Sequence, residues 1–169
     1  ADAAITVLSK SGRKNIRLVS TFAALLFENP ELVVEAAGQA AVPLLLDALK
    51  KSDALVMSVG ALTDDALLAQ LKAAAQQSGH KLLIPSGAVG GLDVLQACRP
   101  EEVVLETRKS PKSLNRSDAQ KTVVFDGSAR EACQKFPKNV NVAATLSLAG
   151  IGFDKTRVHI VSDPKTTQN

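Results

Sequence analysis

The chain has 169 residues, of which 46% are hydrophobic and 22% are charged, a balance typical of a globular protein and not of a disordered one. Its formal net charge of +3, from 20 basic and 17 acidic residues, is too small to indicate a nucleic-acid partner. No apolar run approaches the roughly 20 residues that a membrane span needs, and no signal-peptide pattern is present. With no Trp, no Tyr and five Phe, the core is expected to consist of Ala, Val, Leu and Ile.

The first half of the chain predicts short strands followed by small residues. Residues 5–8 form one candidate strand, and three longer apolar runs follow it. These runs are residues 32–38, 54–61 and 81–88. Near-continuous apolar runs of this length indicate strands that are covered on both faces, as in a parallel sheet.

Amphipathic segments between these runs predict helices. A short helix is expected over residues 21–27, and a longer one over 39–51, where Pro43 is tolerable only near the start. Residues 64–78 predict a third helix, with Thr63 as its N-cap and Gly79 at its end. The alternation of strands and helices predicts an α/β fold.

The pattern changes near residues 89–100, where we expect a boundary between the α/β half and an α+β half. Three later segments alternate with period two, as half-buried strands do. They are residues 103–108, 122–125 and 157–161. Ser128 and Glu131 have the spacing of a capping box that opens a helix, and a second helix is predicted over 140–149, ending at Gly150.

A run of basic residues accompanies the loop between the first two of these strands. Its members are Arg108, Lys109, Lys112, Arg116 and Lys121. A solvated loop is the ordinary explanation of such a run, and a phosphate-binding site is the alternative. The two cysteines, Cys98 and Cys133, lie on predicted helices without CxxC spacing, which favours buried, reduced thiols in a cytoplasmic protein.

All three strands of the predicted parallel sheet end in small residues. The pairs are Ala37-Gly38, Gly60-Ala61 and Gly87-Ala88. Tight turns require glycine in any case, but ligands of open parallel sheets bind outside the carboxyl ends of the strands, where small residues allow close approach. The recurrence at one edge therefore favours a cofactor cleft.

Several catalytic motifs are absent from the sequence. It contains no G-x-G-x-x-G, no phosphate-binding P-loop, no HExxH, no cysteine cluster and no G-x-S-x-G. The only histidines are His80, in a predicted turn, and His159, within a predicted strand, and neither is expected to be catalytic. No metal site is predicted.

Two asparagines, Asn139 and Asn141, precede a run of small residues at the start of the last predicted helix. Ordinary helix capping explains such residues. The alternative is a ligand contact, because a helix N-terminus attracts anions and an uncharged amide suits a nicotinamide or a ribose.

Taken together, these segments resemble the L-aspartate dehydrogenase family. The resemblance covers roughly residues 31–169 and is carried by four motifs. They are the Pro-Ser-Gly-Ala-Val-Gly-Gly-Leu-Asp of residues 85–93, the Thr-Arg-Lys of 107–109, the segment 136–144 with its Asn-Val-Asn-Val-Ala-Ala together with 146–150, and Asp163-Pro164. Residues 35–37 and 58–62 fit the family as well. The stretch 139–150 is the most specific of them.

The resemblance implies a partial Rossmann-type parallel sheet that binds NAD or NADP, over residues 1–92, followed by part of an α+β catalytic domain over 93–169. It implies hydride transfer from L-aspartate to NAD(P), giving iminoaspartate, in a cytoplasmic homodimer that serves NAD biosynthesis. It places cofactor contacts at Ala88 and Asn141.

The resemblance also implies elements that these 169 residues do not contain. The family's glycine-rich turn is expected before residue 1, and its catalytic histidine just beyond Asn169, so we expect the chain by itself to lack dehydrogenase activity. Two other functions fit the residues: another Rossmann-type amino-acid dehydrogenase, or a non-catalytic dinucleotide-binding or regulatory module.

Overall fold

The computed structural model describes residues 17–87, 89–98, 100–136 and 140–166. Within them, six strands form two three-stranded sheets. The strands are β1 (Leu32–Glu35), β2 (Asp53–Val56), β3 (Leu82–Leu83), β4 (Val104–Lys109), β5 (Thr122–Ser128) and β6 (Arg157–Ser162). The α-helices are α1 (Phe22–Phe27), α2 (Leu45–Ala48), α3 (Asp65–Ser78), α4 (Leu92–Cys98), α5 (Ala129–Lys135) and α6 (Asn141–Ala149). The 3₁₀ helices are Gln39–Leu44, Val59–Thr63 and Pro111–Leu114.

The first sheet is parallel, with the strand order β1-β2-β3, and this confirms the α/β prediction for the first half. Its strands are shorter than the apolar runs because the small residues at their ends form turns. The expectation of two covered faces is wrong for β1 within the described residues: Val33 is buried, but Leu32 and Val34 are 44% and 53% exposed. The candidate strand over residues 5–8 lies outside the described residues.

The predicted helix over 39–51 is instead a 3₁₀ helix, Gln39–Leu44, followed by the four-residue α2. Pro43 disfavours an α-helix here, because its ring clashes with the backbone carbonyl four residues earlier. The short helix at 21–27 is confirmed as α1, where the Thr21 hydroxyl accepts a hydrogen bond from the Ala24 N–H at 3.1 Å.

Helix α3 confirms the prediction for residues 64–78 but not its N-cap. The cap is Asp64, whose Oδ1 accepts hydrogen bonds from the N–H groups of Ala66 and Leu67, both at 3.0 Å. The Thr63 hydroxyl donates to the Gly60 carbonyl instead. Gly79 ends the helix with φ of 77°, the left-handed conformation that glycine adopts without strain.

The second sheet is mixed, with β6 between β4 and β5. Strand β4 is parallel to β6, whereas β5 is antiparallel to it and has an irregularity between Val123 and Phe125. The three predicted strands and both predicted helices of this half are confirmed, so the region is α+β as expected. The division into domains at residues 92 and 93 stays a prediction.

One cluster of buried apolar side chains extends through both halves. Most of its members are Ala, Val, Leu and Ile, as the composition predicts, with Phe125 and Phe153 as the buried aromatic members among the described residues. Arg130 of α5 adds a polar connection, since it donates to the Thr63 carbonyl and forms ion pairs with Asp65 and Asp154. The start of α3 is thereby fastened to the second half.

The expectation of two buried thiols is only half confirmed. Cys133 lies in the core, and burial raises the pKa of its thiol to about 11, which keeps it protonated at neutral pH. Cys98, at the end of α4, is exposed. Both cysteines lie on helices, as predicted, but the helix that carries Cys98 has no buried residue among those described.

Helix α5 begins with the predicted capping box, in which Ser128 Oγ and the Glu131 side chain each accept a hydrogen bond from the other residue's backbone N–H. We expect Ser128→Ala to lower the free energy of unfolding by about 1 kcal/mol, because the Glu131 N–H loses its acceptor. Urea unfolding measures the change. Ser117, which is exposed, provides the control substitution Ser117→Ala, and equal stability of the two variants would contradict the prediction.

Candidate functional site

A buried carboxylate joins the turns that follow β1 and β2. Glu35, the last residue of β1, is 5% exposed. Its Oε1 accepts hydrogen bonds from the N–H groups of Ala37 and Gly38, both at 2.8 Å. Ser58 donates to it twice at 3.0 Å, from the backbone N–H to Oε2 and from Oγ to Oε1. Burial opposes ionisation of Glu35, but these donors outweigh it and lower the pKa of the carboxyl group.

The start of α6 contacts the same edge of the sheet. Asn141 Oδ1 accepts a hydrogen bond from the Gly60 N–H at 3.2 Å, across 81 positions of sequence. The N-cap of α6 is Val140, without a side-chain hydrogen bond, so the capping interpretation is wrong for Asn141. Asn139 lies outside the described residues. Because Oδ1 of Asn141 accepts from Gly60, its side-chain NH₂ group is left as a donor for a ligand.

A cleft of about 150 Å³ lies between this start of α6 and the chain that follows β2 and β3. Its apolar lining consists of Met57, Val59, Pro85 and Val142. Its polar lining consists of Ser86, Asn141 and Thr145. Complete small-molecule sites have volumes of roughly 300–1,000 Å³. The cleft therefore suits one ring of a larger ligand and not the whole of it.

Thr145 lies one helical turn after Asn141, on the same face of α6. It lines the cleft although it is only 6% exposed, and its hydroxyl makes no hydrogen bond within the described part of the chain. Ser147 differs, because its hydroxyl donates to the Ala143 carbonyl at 2.8 Å. The fully buried side-chain polar atoms without a partner in the described residues belong to Thr156, His159 and Ser162, so the Thr145 hydroxyl keeps access to the cleft, where a ligand can bond with it. Thr145 is thus a candidate ligand contact.

The glycines at the three strand ends have separate structural reasons. Gly38 and Gly87 have φ of 127° and 61°, a conformation that other residues rarely adopt. A Cβ at Gly60 would lie 2.5 Å from Nε2 of Gln39. Turn geometry therefore explains Gly38 and Gly87, whereas at Gly60 the crowding atom belongs to a flexible side chain that can move aside. The evidence for a cleft comes from the residues that line it.

The two predicted contact residues differ in how the structure places them. Asn141 lines the cleft together with Ser86 and Gly87. Ala88 lies outside the described residues, although it directly follows this lining segment in sequence. The roles of Ala88 and Asn141 as cofactor contacts stay predictions.

Neither histidine lines the cleft. Nδ1 of His80 lies 3.4 Å from Oδ1 of Asp53, and Nε2 of His159 lies 3.3 Å from Oδ1 of Asp126. The absence of a catalytic role for either histidine stays a prediction.

The basic run is partly neutralised by its own acidic neighbours. Arg108 pairs with Glu106 at 2.7 Å, and Arg116 forms two hydrogen bonds with Asp118, at 2.6 and 2.8 Å. The Arg116 guanidinium lowers the pKa of Asp118 to about 2. Internal pairing of two of the cations favours the solvated loop over a phosphate site.

Within the described ranges, no group of three or more His, Cys, Asp or Glu side chains is arranged to hold a metal ion. Among the helices of the described residues, none has the length and apolarity needed to cross a bilayer.

Comparison with known proteins connects this geometry to a family. Residues 91–169 match the family model described as aspartate dehydrogenase, C-terminal, and residues 2–85 match the model described as homoserine dehydrogenase, NAD binding domain. The L-aspartate dehydrogenase of Methanopyrus kandleri is 50% identical over 143 residues, which cover 82% of this chain and 55% of that protein. The chain belongs to the aspartate dehydrogenase family.

Other members of this family support the assignment. The L-aspartate dehydrogenase of Pseudomonas aeruginosa is 43% identical over 158 residues, covering 84% of this chain and 59% of that protein. The crystal structure of aspartate dehydrogenase from Thermotoga maritima has a TM-score of 0.76 and 36% identity, and the match covers 92% of this chain and 65% of that one. The chain thus spans between about half and two thirds of the length of these relatives.

The sequence included Glu35 only as part of a matching segment, without a role, and gave no indication of Thr145. Glu35 ends an apolar run, and a charged residue at the last buried position of a strand was the available signal. Thr145 lies four positions after Asn141, which is the spacing of neighbours on one helical face. Its burial, however, depends on packing that the sequence pattern does not reveal.

Proposed function

We propose that this chain supplies the cofactor cleft of an NAD(P)-dependent L-aspartate dehydrogenase. The observation that carries the proposal is the meeting of Asn141 with the Ser86-Gly87 turn in one small cleft at the carboxyl edge of a parallel sheet, in a chain of the aspartate dehydrogenase family. This edge is where open α/β sheets bind their ligands.

The residues of the cleft fit the nicotinamide end of such a cofactor. Met57, Val59 and Pro85 provide an apolar wall for a flat ring, while Asn141 and Thr145 provide polar groups at its side. The dinucleotide supplies a hydride acceptor, and the reaction we propose moves a hydride from Cα of L-aspartate, giving iminoaspartate. This chain's part is to hold the ring in one orientation, with Asn141 and, by resemblance, Ala88 as contacts.

Finer properties belong to the same proposal. We propose that either NAD or NADP serves as the cofactor, that the protein is a cytoplasmic homodimer, and that its product supports NAD biosynthesis. The resemblance supports the dimer and the pathway. The two cysteines, which are free of disulfide bonds in the described residues, support a reducing compartment.

Substrate turnover by the full-length protein that carries this chain tests the activity. We expect oxidation of L-aspartate with NAD⁺ or NADP⁺, followed by absorbance at 340 nm, with kcat/KM at least about a hundredfold above that for L-homoserine, L-glutamate or L-alanine. L-Homoserine is included because the first half matches a homoserine dehydrogenase model. A preference for another amino acid would overturn the substrate. Cofactor binding without any turnover would favour the non-catalytic module.

A further inference from the structure

We propose that Thr145 is a specificity-determining contact that accepts a hydrogen bond from the carboxamide NH₂ of the nicotinamide ring. This inference rests on the proposed function, because it assumes that the cleft holds that ring. It adds a residue that the resemblance does not indicate. It also assigns each polar atom of the cleft to one atom of the ligand.

The first step concerns Asn141. Its Oδ1 accepts the Gly60 N–H, which fixes the orientation of the side-chain amide. The NH₂ group therefore faces away from Gly60 as a hydrogen-bond donor, and a donor requires an acceptor on the ligand. In a carboxamide that acceptor is the carbonyl oxygen.

The second step concerns Thr145. Its side chain is buried, lines the same cleft and lies one turn from Asn141, at a spacing that brings side chains within about 5–6 Å of each other. Its hydroxyl has no hydrogen-bond partner among the described residues. Because this hydroxyl opens into the cleft, a ligand group there can replace water as its hydrogen-bond partner. The ligand is the available partner, and the carboxamide NH₂ is the group left once Asn141 has taken the carbonyl oxygen.

The two side chains together recognise a carboxamide by opposite polarity. Asn141 donates and Thr145 accepts, so a ring bearing a group with a carbonyl but no N–H should satisfy only Asn141. The 3-acetylpyridine analogue of the dinucleotide is such a ligand, since a methyl group replaces the NH₂ group. The apolar contacts of the ring with Met57, Val59 and Pro85 should be the same for both ligands.

The experiment measures dissociation constants of NADH and of reduced 3-acetylpyridine adenine dinucleotide by fluorescence titration of the full-length protein. If NADPH proves the better cofactor, the phosphorylated pair replaces them. We expect the wild type to bind the natural cofactor about tenfold more tightly than the analogue. Thr145→Val should weaken binding of the natural cofactor by about tenfold and leave the analogue unchanged, so that the preference disappears.

Three further variants make the result decisive. Thr145→Ser keeps the hydroxyl and should keep the preference, whereas Thr145→Ala should lose it even if valine disturbs the fold. Thr122→Val is the matched control. Thr122 is the first residue of β5, and its hydroxyl donates to the Gln120 carbonyl, so this variant should bind both ligands as the wild type does. Melting temperatures establish that each variant is folded.

The possible failures are distinguishable. A wild type that binds neither cofactor would overturn the proposed function, and this inference with it. A wild type that binds NADH or NADPH but does not distinguish the analogue would overturn the inference alone. So would a Thr145→Val variant with an unchanged preference, or one that loses affinity for both ligands equally.

Discussion

Replacing Asn141 by alanine is expected to weaken NADH binding by about 10- to 100-fold, which corresponds to about 1.4–2.7 kcal/mol. The variant loses the donor that faces the cleft. It also leaves the Gly60 N–H without its acceptor, so the turn after β2 is held less firmly against α6. For the second reason we expect a loss of about 1 kcal/mol in the free energy of unfolding as well.

Asn141→Asp separates the two roles. An aspartate keeps Oδ1 for the Gly60 N–H, so stability should remain near that of the wild type. It replaces the NH₂ donor by a second acceptor, which would face the carboxamide oxygen, so NADH affinity should fall at least as far as in Asn141→Ala. Using NADH matters here, because its dihydronicotinamide ring is uncharged and is not attracted to the new carboxylate.

Fluorescence titration with NADH and urea unfolding provide the two measurements on the full-length protein. Gln76→Ala removes an exposed amide from α3 and is the control for loss of an amide in general. If Asn141→Asp binds NADH as tightly as the wild type, Asn141 is only a structural connection between α6 and the sheet. The cleft would then lack the proposed contact.

Local signals predicted much of the fold. Gly79 and the Ser128–Glu131 box mark helix ends through their own backbone geometry, so α3 and α5 follow from short stretches of sequence. Which of two adjacent residues serves as the N-cap of α3 could not be predicted from such local signals. Thr63 and Asp64 are both good N-caps, and the structure uses Asp64 because the Thr63 hydroxyl donates to the Gly60 carbonyl.

The site was less predictable because its contacts connect distant residues. Resemblance indicated Asn141, but its hydrogen bond to Gly60 depends on α6 packing against the first sheet. The small residues at strand ends pointed to this edge, although turn geometry alone accounts for the glycines Gly38 and Gly87. Glu35 and Thr145 became evident only from burial and from the presence or absence of partners.

Replacing Glu35 by alanine is expected to destabilise the protein by about 3 kcal/mol, because the N–H groups of Ala37, Gly38 and Ser58 and the Ser58 hydroxyl all donate to this carboxylate. Hydrogen bonds to a charged group are each worth about 1.5–3 kcal/mol, and water that enters the space left by the side chain recovers part of the loss. Glu35→Gln should cost less, about 1–2 kcal/mol. Its amide oxygen can accept the bonds of Oε1, while its NH₂ group would face the Ser58 N–H.

The pH dependence of this effect has a definite sign. The folded protein lowers the pKa of Glu35 below its ordinary value of 4.5, so the carboxylate contributes its full stability above about pH 4.5. That contribution is lost as the pH falls through the lowered pKa, because protonation removes the negative charge that accepts the four hydrogen bonds. Glu35→Gln has no ionisable group at this position, so its stability has no pH dependence from this residue. The difference in unfolding free energy between wild type and Glu35→Gln should therefore be largest near pH 7 and should shrink below about pH 4.5.

Urea unfolding of the full-length protein at pH 7 and at several values below pH 4.5 measures this difference. Glu31→Gln is the control, because Glu31 is an exposed glutamate directly before β1. A gap between wild type and Glu35→Gln that stays constant with pH would mean that Glu35 is not the ionised acceptor of these donors. The outcome bears on the cleft, since Ser58 lies between Met57 and Val59, both of which line it. Loss of the Glu35 carboxylate should loosen that wall and lower NADH affinity through Met57 and Val59, without any direct contact between Glu35 and the ligand.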